Sequence, residues 1–217
     1  MTFTINPIPE ARRETMLKTK VWTSECSIPL ERLKLLKVLY SDFNNQTQQG
    51  ELITLDVVAE EVIKIFKKLY DRKFPIAKMR LIDDYNGNDD ASMEDNNSSC
   101  FNYRKIAGSN LLSLHGLGMA IDINPVQNPY LILNKENASI NVFPKEGINY
   151  LNRNKDYIGK VEPIVEIFKQ HGFKVWGGDW SEPIDYHHFQ VDRNIAEKIA
   201  GLNYDEGMRL FLTQVSA

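Results

Sequence analysis

Cysteine is scarce in this chain. Only Cys26 and Cys100 occur among 217 residues, which rules out a disulfide framework and any CxxC zinc site. One bridge or two free thiols remain as alternatives. No stretch approaches the ~18 consecutive apolar residues of a membrane-spanning helix. The N-terminal MTFTINPIPEARRETMLKTK holds no apolar run long enough for a signal peptide. The chain is therefore expected either to be made without such a signal, as a cytoplasmic protein, or to begin after one has been removed. A basic surplus is missing as well: 26 Lys and Arg face 29 Asp and Glu, for a net charge of −3. A surface built to coat nucleic acid needs the opposite balance. Internal repeats, heptads and low-complexity tracts are absent, and so is the HExxH motif, which excludes the thermolysin-like zinc peptidases.

What is present is globular. Hydrophobic residues make up 42% and charged residues 25%, enough apolar surface to exclude bulk disorder. The length suits a single domain over 1–217. We divide it into a helical N-terminal part, about 1–73, a core that holds all four histidines, about 74–192, and a helical tail, about 193–217. The first 25 or so residues show no clean period and are expected to wrap the surface. Pro29 opens a helix pattern in which Leu30, Leu33, Leu36 and Tyr40 share a face. A clearer helix spans about Asp56 to Asp71. Asp56 is its expected N-cap, and Val58, Val62, Ile65, Phe66 and Leu69 form its apolar stripe.

Met79 to Ile82 reads as a short strand. The polar run DDYNGNDDASMEDNNSS follows, and it reads as a solvated functional loop. With Gly87 at the sixth position of a calcium loop, Ile82 and Met93 would fall at ligand positions, so the EF-hand pattern fails. Residues 119–123, MAIDI, read as a strand stopped by Asn124 and Pro125. Residues 126–157 read as an exposed excursion. Val161 to His171 is a third helix, with Pro163 in its first turn and Gly172 at its end. Two short strands are expected around Phe173–Trp176 and Asp185–Val191.

Chemistry concentrates in two places. Of the four histidines, His115 lies in SLHGLGMAID, and His187 and His188 lie in DYHHF, just after WGGDW. A catalytic zinc needs three protein ligands and a position open to water. His115 and Asp122 are too far apart for one helical turn, but the glycines between them suit a loop turning into a strand. A carboxylate between Ile121 and Ile123 needs a partner or a metal. His187 or His188 can supply the third ligand. Asp185, three residues before His188, can serve as a base beside it. The plain alternatives are a turn histidine at His115, a helix-terminal histidine at His171, and a surface arginine at Arg104.

The run SLHGLGMAIDINPVQNPY resembles the S-x-H-x-x-G-x-A-x-D-I motif of the M15 zinc D-Ala-D-Ala carboxypeptidases and peptidoglycan endopeptidases. WGGDW with DYHHF resembles the second motif of that family, and FNYRKIAG its arginine segment. The resemblance implies an α+β fold, with a small antiparallel sheet carrying the metal and helices packed on its other side. It implies Zn2+ held by His115, Asp122 and His188, with Asp185 as general base and Arg104 steadying the carbonyl oxygen. Ser113 and Trp176 would contact substrate, with Trp180 as a second candidate wall. His187 receives no role. The implied partner is a peptidoglycan stem peptide, cut by a D,D-carboxypeptidase or an L-alanyl-D-glutamate endopeptidase, which would place the protein at the cell wall or periplasm if it is exported. The competing readings are a non-catalytic zinc module that binds cell wall, and a cytosolic hydrolase of small dipeptides. A module of the first kind would be free to lose Asp185 or Arg104, and both are present.

Overall fold

The computed structural model describes residues 2–106, 108–134 and 138–215. Its elements run β1 (Thr4–Pro7), α1 (Glu10–Lys18), β2 (Leu33–Ser41), β3 (Thr47–Leu55), α2 (Ala59–Asp71), β4 (Lys78–Met79), α3 (Asp89–Glu94) and β5 (Asn97–Ser98). Then follow β6 (Ala120–Asp122), β7 (Tyr130–Asn134), β8 (Ser139–Phe143), α4 (Val165–Gln170), β9 (Val175–Trp176), β10 (Ile184–Asp185), β11 (His188–Gln190), α5 (Arg193–Ala200) and α6 (Tyr204–Val215). The fold is α+β, with small sheets and several helices, as the sequence implies. No helix among the described residues is long and apolar enough to cross a membrane.

The N-terminal third departs from expectation. Residues 33–41 form a strand and not a helix, pairing with β1 on one side and β3 on the other in an antiparallel sheet. The run LKLLKVLYS fits both periods. Leu33, Leu35, Val38 and Tyr40 are buried, and so is Leu36 between them. A middle strand covered on its face by α2 can bury more than one residue in two, which blurs the alternation. β1 and α1 also occupy the stretch read as patternless. Met16 is the one buried residue of α1, so the helix has no stripe to betray it.

Three other expectations are refined. The predicted strand at 79–82 is the two-residue β4, and Ile82–Tyr85 is a 3-10 turn. The polar run after it holds α3 and β5. The excursion at 126–157 contains the β7–β8 hairpin, whose register pairs Tyr130 with Phe143 and Asn134 with Ser139. The second and third predicted helices are present: a 3-10 turn at Asp56–Val58 leads into α2, and one at Glu162–Ile164 leads into α4. Asp56 is the first residue of its turn and not the cap. Its carboxylate instead receives Arg32.

One hydrophobic cluster links these layers, from Ile8 in the N-terminal segment to Phe211 in α6. At its centre Phe189 of β11 stacks on Phe168 of α4 with ring centroids 4.0 Å apart, and Phe173 meets Phe168 edge-on. A fully buried Phe contributes about 1.5–3 kcal/mol through burial alone. This packing anchors the sheet β6–β11–β9, which carries the site.

Candidate metal centre

The alternation of side chains along two short strands builds the centre. β6 and β11 run antiparallel, with Asp122 directly opposite His188 and Ile121 opposite Phe189. Successive residues point to opposite faces of a sheet. Ile121, Ile123 and Phe189 fill the core with no exposed surface. Asp122 and His188 must then share the other face, where a cleft of about 560 Å³ opens. Gln190, two residues beyond His188, lies on that face as well.

His115 arrives from a different direction. It sits in the 3-10 turn Leu114–Leu117, whose first orphan donors are met by Ser113: the His115 N–H donates to Ser113 Oγ at 3.3 Å. Leu114 and Leu117 fix the turn in the core. Gly118 ends it with φ of +66°, and a Cβ there would lie 2.6 Å from the Leu55 backbone nitrogen. Only glycine serves this left-handed, crowded position.

The donor atoms converge. His115 Nε2 lies 3.1 Å from Asp122 Oδ2 and 3.2 Å from His188 Nδ1, which lies 2.9 Å from Asp122 Oδ1. All three residues are buried, and their donor atoms meet within 4.8 Å of one another. Ligands held at ~2.0–2.1 Å by a tetrahedral ion stand about 3.3 Å apart, close to these spacings. The outer hydrogen bonds set the tautomers. His115 Nδ1–H donates to the Cys100 carbonyl at 2.6 Å, and His188 Nε2–H donates to Gln190 Oε1 at 2.9 Å. Both inward nitrogens therefore offer lone pairs to a carboxylate that also offers lone pairs. Such a cluster needs a proton or a cation at its centre.

The electrostatics agree. Burial works to lower the His115 pKa, but the Asp122 carboxylate reverses this and holds it above the ordinary histidine range. Burial likewise opposes the Asp122 charge, yet His115 and His187 hold its carboxyl well below the usual range. The field that favours a proton here favours a metal ion in its place.

Asp185 stands beside the cluster on β10. Gly177 allows this approach: a Cβ there would collide with the Asp185 carbonyl oxygen and lie 2.8 Å from its Cβ. Burial pushes the Asp185 carboxyl above its ordinary pKa, against the pull of His187 and His188. His187 lies between base and ligand. Its Nδ1–H donates to the Asn128 carbonyl at 2.8 Å, and its Nε2 is 3.0 Å from Asp185 Oδ1 and 3.8 Å from Asp122 Oδ2.

Of the other residues singled out in the sequence, Arg104 and Ser113 line the cleft with Asp185 and the three candidate ligands. Trp176 does not. Its Nε1–H donates to the Tyr186 carbonyl at 2.9 Å, and the residue packs against the core. Trp180 takes the wall position, with its ring 5.5 Å from that of His188. Cys26 and Cys100 are free thiols. His171 is remote from the cleft and bonds Glu61 through its Nδ1. Sequence reasoning passed over Gln190, Asn128, Tyr130 and Asp89. The first was within reach, because a residue two positions after a ligand on a strand shares its face.

Two imidazoles and a carboxylate with inward lone pairs could hold a metal ion, and a second buried carboxylate stands beside them in the cleft, an arrangement that suits hydrolytic chemistry. Residues 107–191 match the peptidase M15 family model described as D-alanyl-D-alanine carboxypeptidase. The match supports a peptidase of that kind and spans His115, Asp122, Asp185 and His188. Arg104 lies just outside it. Neither a curated protein nor a solved structure matches significantly.

Proposed function

We propose that this protein is a zinc peptidase that hydrolyses an amide bond in peptidoglycan stem peptides, as a D,D-carboxypeptidase or an L-alanyl-D-glutamate endopeptidase. The convergence of His115 Nε2, Asp122 and His188 Nδ1 beside Asp185 carries this reading. His115, Asp122 and His188 would hold the ion. When bound, zinc supplies a Lewis acid for the scissile carbonyl and makes water acidic enough to act as nucleophile near neutral pH.

The chain's own groups do the rest. Asp185 accepts the proton of the attacking water and delivers it to the leaving amine. Burial raises its proton affinity, which suits a group that must both take and give a proton. The Arg104 guanidinium offsets the charge that grows on the carbonyl oxygen, a contribution of about 3 kcal/mol for one well-placed donor. Tyr130, Ile132, Phe143 and Trp180 form an apolar wall that displaces water from the bound peptide and strengthens these interactions.

The test uses purified protein loaded with zinc. It is incubated with a stem pentapeptide ending in D-Ala-D-Ala and, separately, with muropeptides containing the L-Ala-D-Glu bond. Mass spectrometry reads the products. Release of D-Ala or scission at L-Ala-D-Glu is expected. A protein with stoichiometric zinc that cuts neither bond refutes the reading.

A further inference from the structure

We propose that Asp89 is a positioning residue that holds the Arg104 guanidinium toward the site. This rests on the peptidase reading above and adds to it a residue outside both sequence motifs. Asp89 opens α3, within the polar run that the sequence suggested was a solvated loop. Its Oδ2 accepts from Arg104 Nη2 at 2.7 Å, and its Oδ1 accepts from Asn102 Nδ2 at 3.3 Å. Asn102 in turn donates its backbone N–H to the His115 carbonyl at 3.2 Å, and the Arg104 carbonyl accepts from the Ser113 N–H at 3.0 Å. One short network therefore joins Asp89, Arg104 and the turn that carries His115.

The guanidinium is held from one end. Arg104 Nε is closed off from solvent and has no hydrogen-bond partner among the described residues, while about 32% of the side chain stays exposed where the residue lines the cleft. The Asp89 carboxylate is thus the charge-assisted partner that fixes the group. Arginine is a long side chain with many rotamers, and that contact at Nη2 sets the plane from which its remaining outer N–H groups face an arriving carbonyl oxygen. A donor set in advance is worth far more in a transition state than one that must reorganise.

The support is itself anchored. Asn88 caps α3, accepting from the Ala91 N–H at 3.0 Å. Upstream, Arg12 of α1 holds Asp83 at 2.8 Å and Asp84 at 3.0 Å. Tyr85 donates to Asp95 at 2.6 Å, and Ser92 Oγ accepts from Asn97 at 2.9 Å. All of these residues lie outside the segment 107–191 that matches the peptidase family. The N-terminal half thus gains a part in the chemistry: it sets the arginine.

The experiment is a double-mutant cycle in the zinc-loaded full chain. Asp89→Asn and Asp89→Ala are expected to lower kcat by about 10- to 100-fold, the scale of a donor displaced by about an ångström. KM should stay within about threefold, with zinc content unchanged. In the Arg104→Ala background, Asp89→Ala should slow turnover by no more than about twofold, because the group it positions is gone. Multiplicative losses in the double variant, a loss confined to KM, or an Asp89→Ala variant as fast as wild type would each overturn the proposal. An arm independent of turnover uses 15N NMR of the Arg104 Nε–H. The resonance should be sharp in the wild type and broadened or lost to exchange in Asp89→Ala. An unchanged resonance would overturn the proposal even if no peptide were cleaved, an outcome that by itself would sink only the peptidase reading.

Discussion

The two adjacent histidines of DYHHF offer a discriminating experiment, because only their register on the strand separates them. His188 Nδ1 lies 3.2 Å from His115 Nε2 and 2.9 Å from Asp122 Oδ1. His187 Nε2 approaches only Asp122 Oδ2, at 3.8 Å, and turns toward Asp185. Zinc held in a protein site is worth about 10–16 kcal/mol. Removing one of three protein ligands should therefore cost about 3–5 kcal/mol, or two to three and a half decades of affinity. His188→Ala is expected to show that loss. Gln190→Ala removes the acceptor that fixes the His188 tautomer and should cost about 10- to 100-fold. His187→Ala leaves all three candidate ligands and their outer hydrogen bonds in place, removing only a longer 3.8 Å contact to Asp122 Oδ2, and should cost at most about tenfold. Competition of apo protein against a chromophoric zinc chelator measures all three, with thermal unfolding of each variant confirming the fold. If His187→Ala lost zinc and His188→Ala kept it, the register of β11 on β6 and the whole centre would be wrong.

Asp185→Asn preserves shape and removes basicity, so it should keep zinc while lowering kcat by about 10²-fold or more. Near-normal turnover on a stem peptide would assign the base elsewhere, and Asp179, exposed and paired with Lys169, would be a poor replacement. Glu61 is buried between His171 and Lys64. Burial raises its carboxyl pKa, but these partners hold it below the ordinary value, so its contribution exists above the unfolded pKa of about 4.3 and fades as pH falls through the folded value. Glu61→Gln should cost about 1–3 kcal/mol at pH 7, a gap that narrows below pH ~4 in urea titrations; a gap that widened there would refute the sign. Gly118→Ala forces a left-handed residue against the Leu55 nitrogen and should cost about 2–5 kcal/mol; a loss below ~1 kcal/mol would show that the turn yields easily.

The sequence was most legible where one periodicity acted alone. α2 declares itself because one face is buried and the other solvated. β6 declares itself because Ile121 and Ile123 bracket a lone carboxylate. The failures share a cause. Residues 33–41 have a burial pattern close to helical because the strand is covered on both sides, and α1 carries too few apolar residues for any pattern. β1 could be found only with its partner: Asn6 sits opposite Leu35, a pairing that no local signal encodes. Long-range register is what single-sequence reasoning lacks.

The same limit divides the site. Asp122 was visible because its local cost is extreme, an ionised group in an apolar run. His115 was visible because it stands among glycines that suit a tight loop turning into a strand. Asp89 was not visible. It lies in a run rich in acids, among neighbours such as Asp90 that look identical from the sequence, and its partner Arg104 is brought to it by tertiary packing. What marks Asp89 is the 2.7 Å contact to a guanidinium whose own Nε is buried and unmatched, a property of the assembled cleft and of neither segment alone. Candidate ligands such as Asp122 and His115 carry a local oddity, a lone carboxylate in an apolar run or a histidine among glycines, and the sequence betrays them. Groups that aim another side chain are ordinary until the fold gives them something to aim.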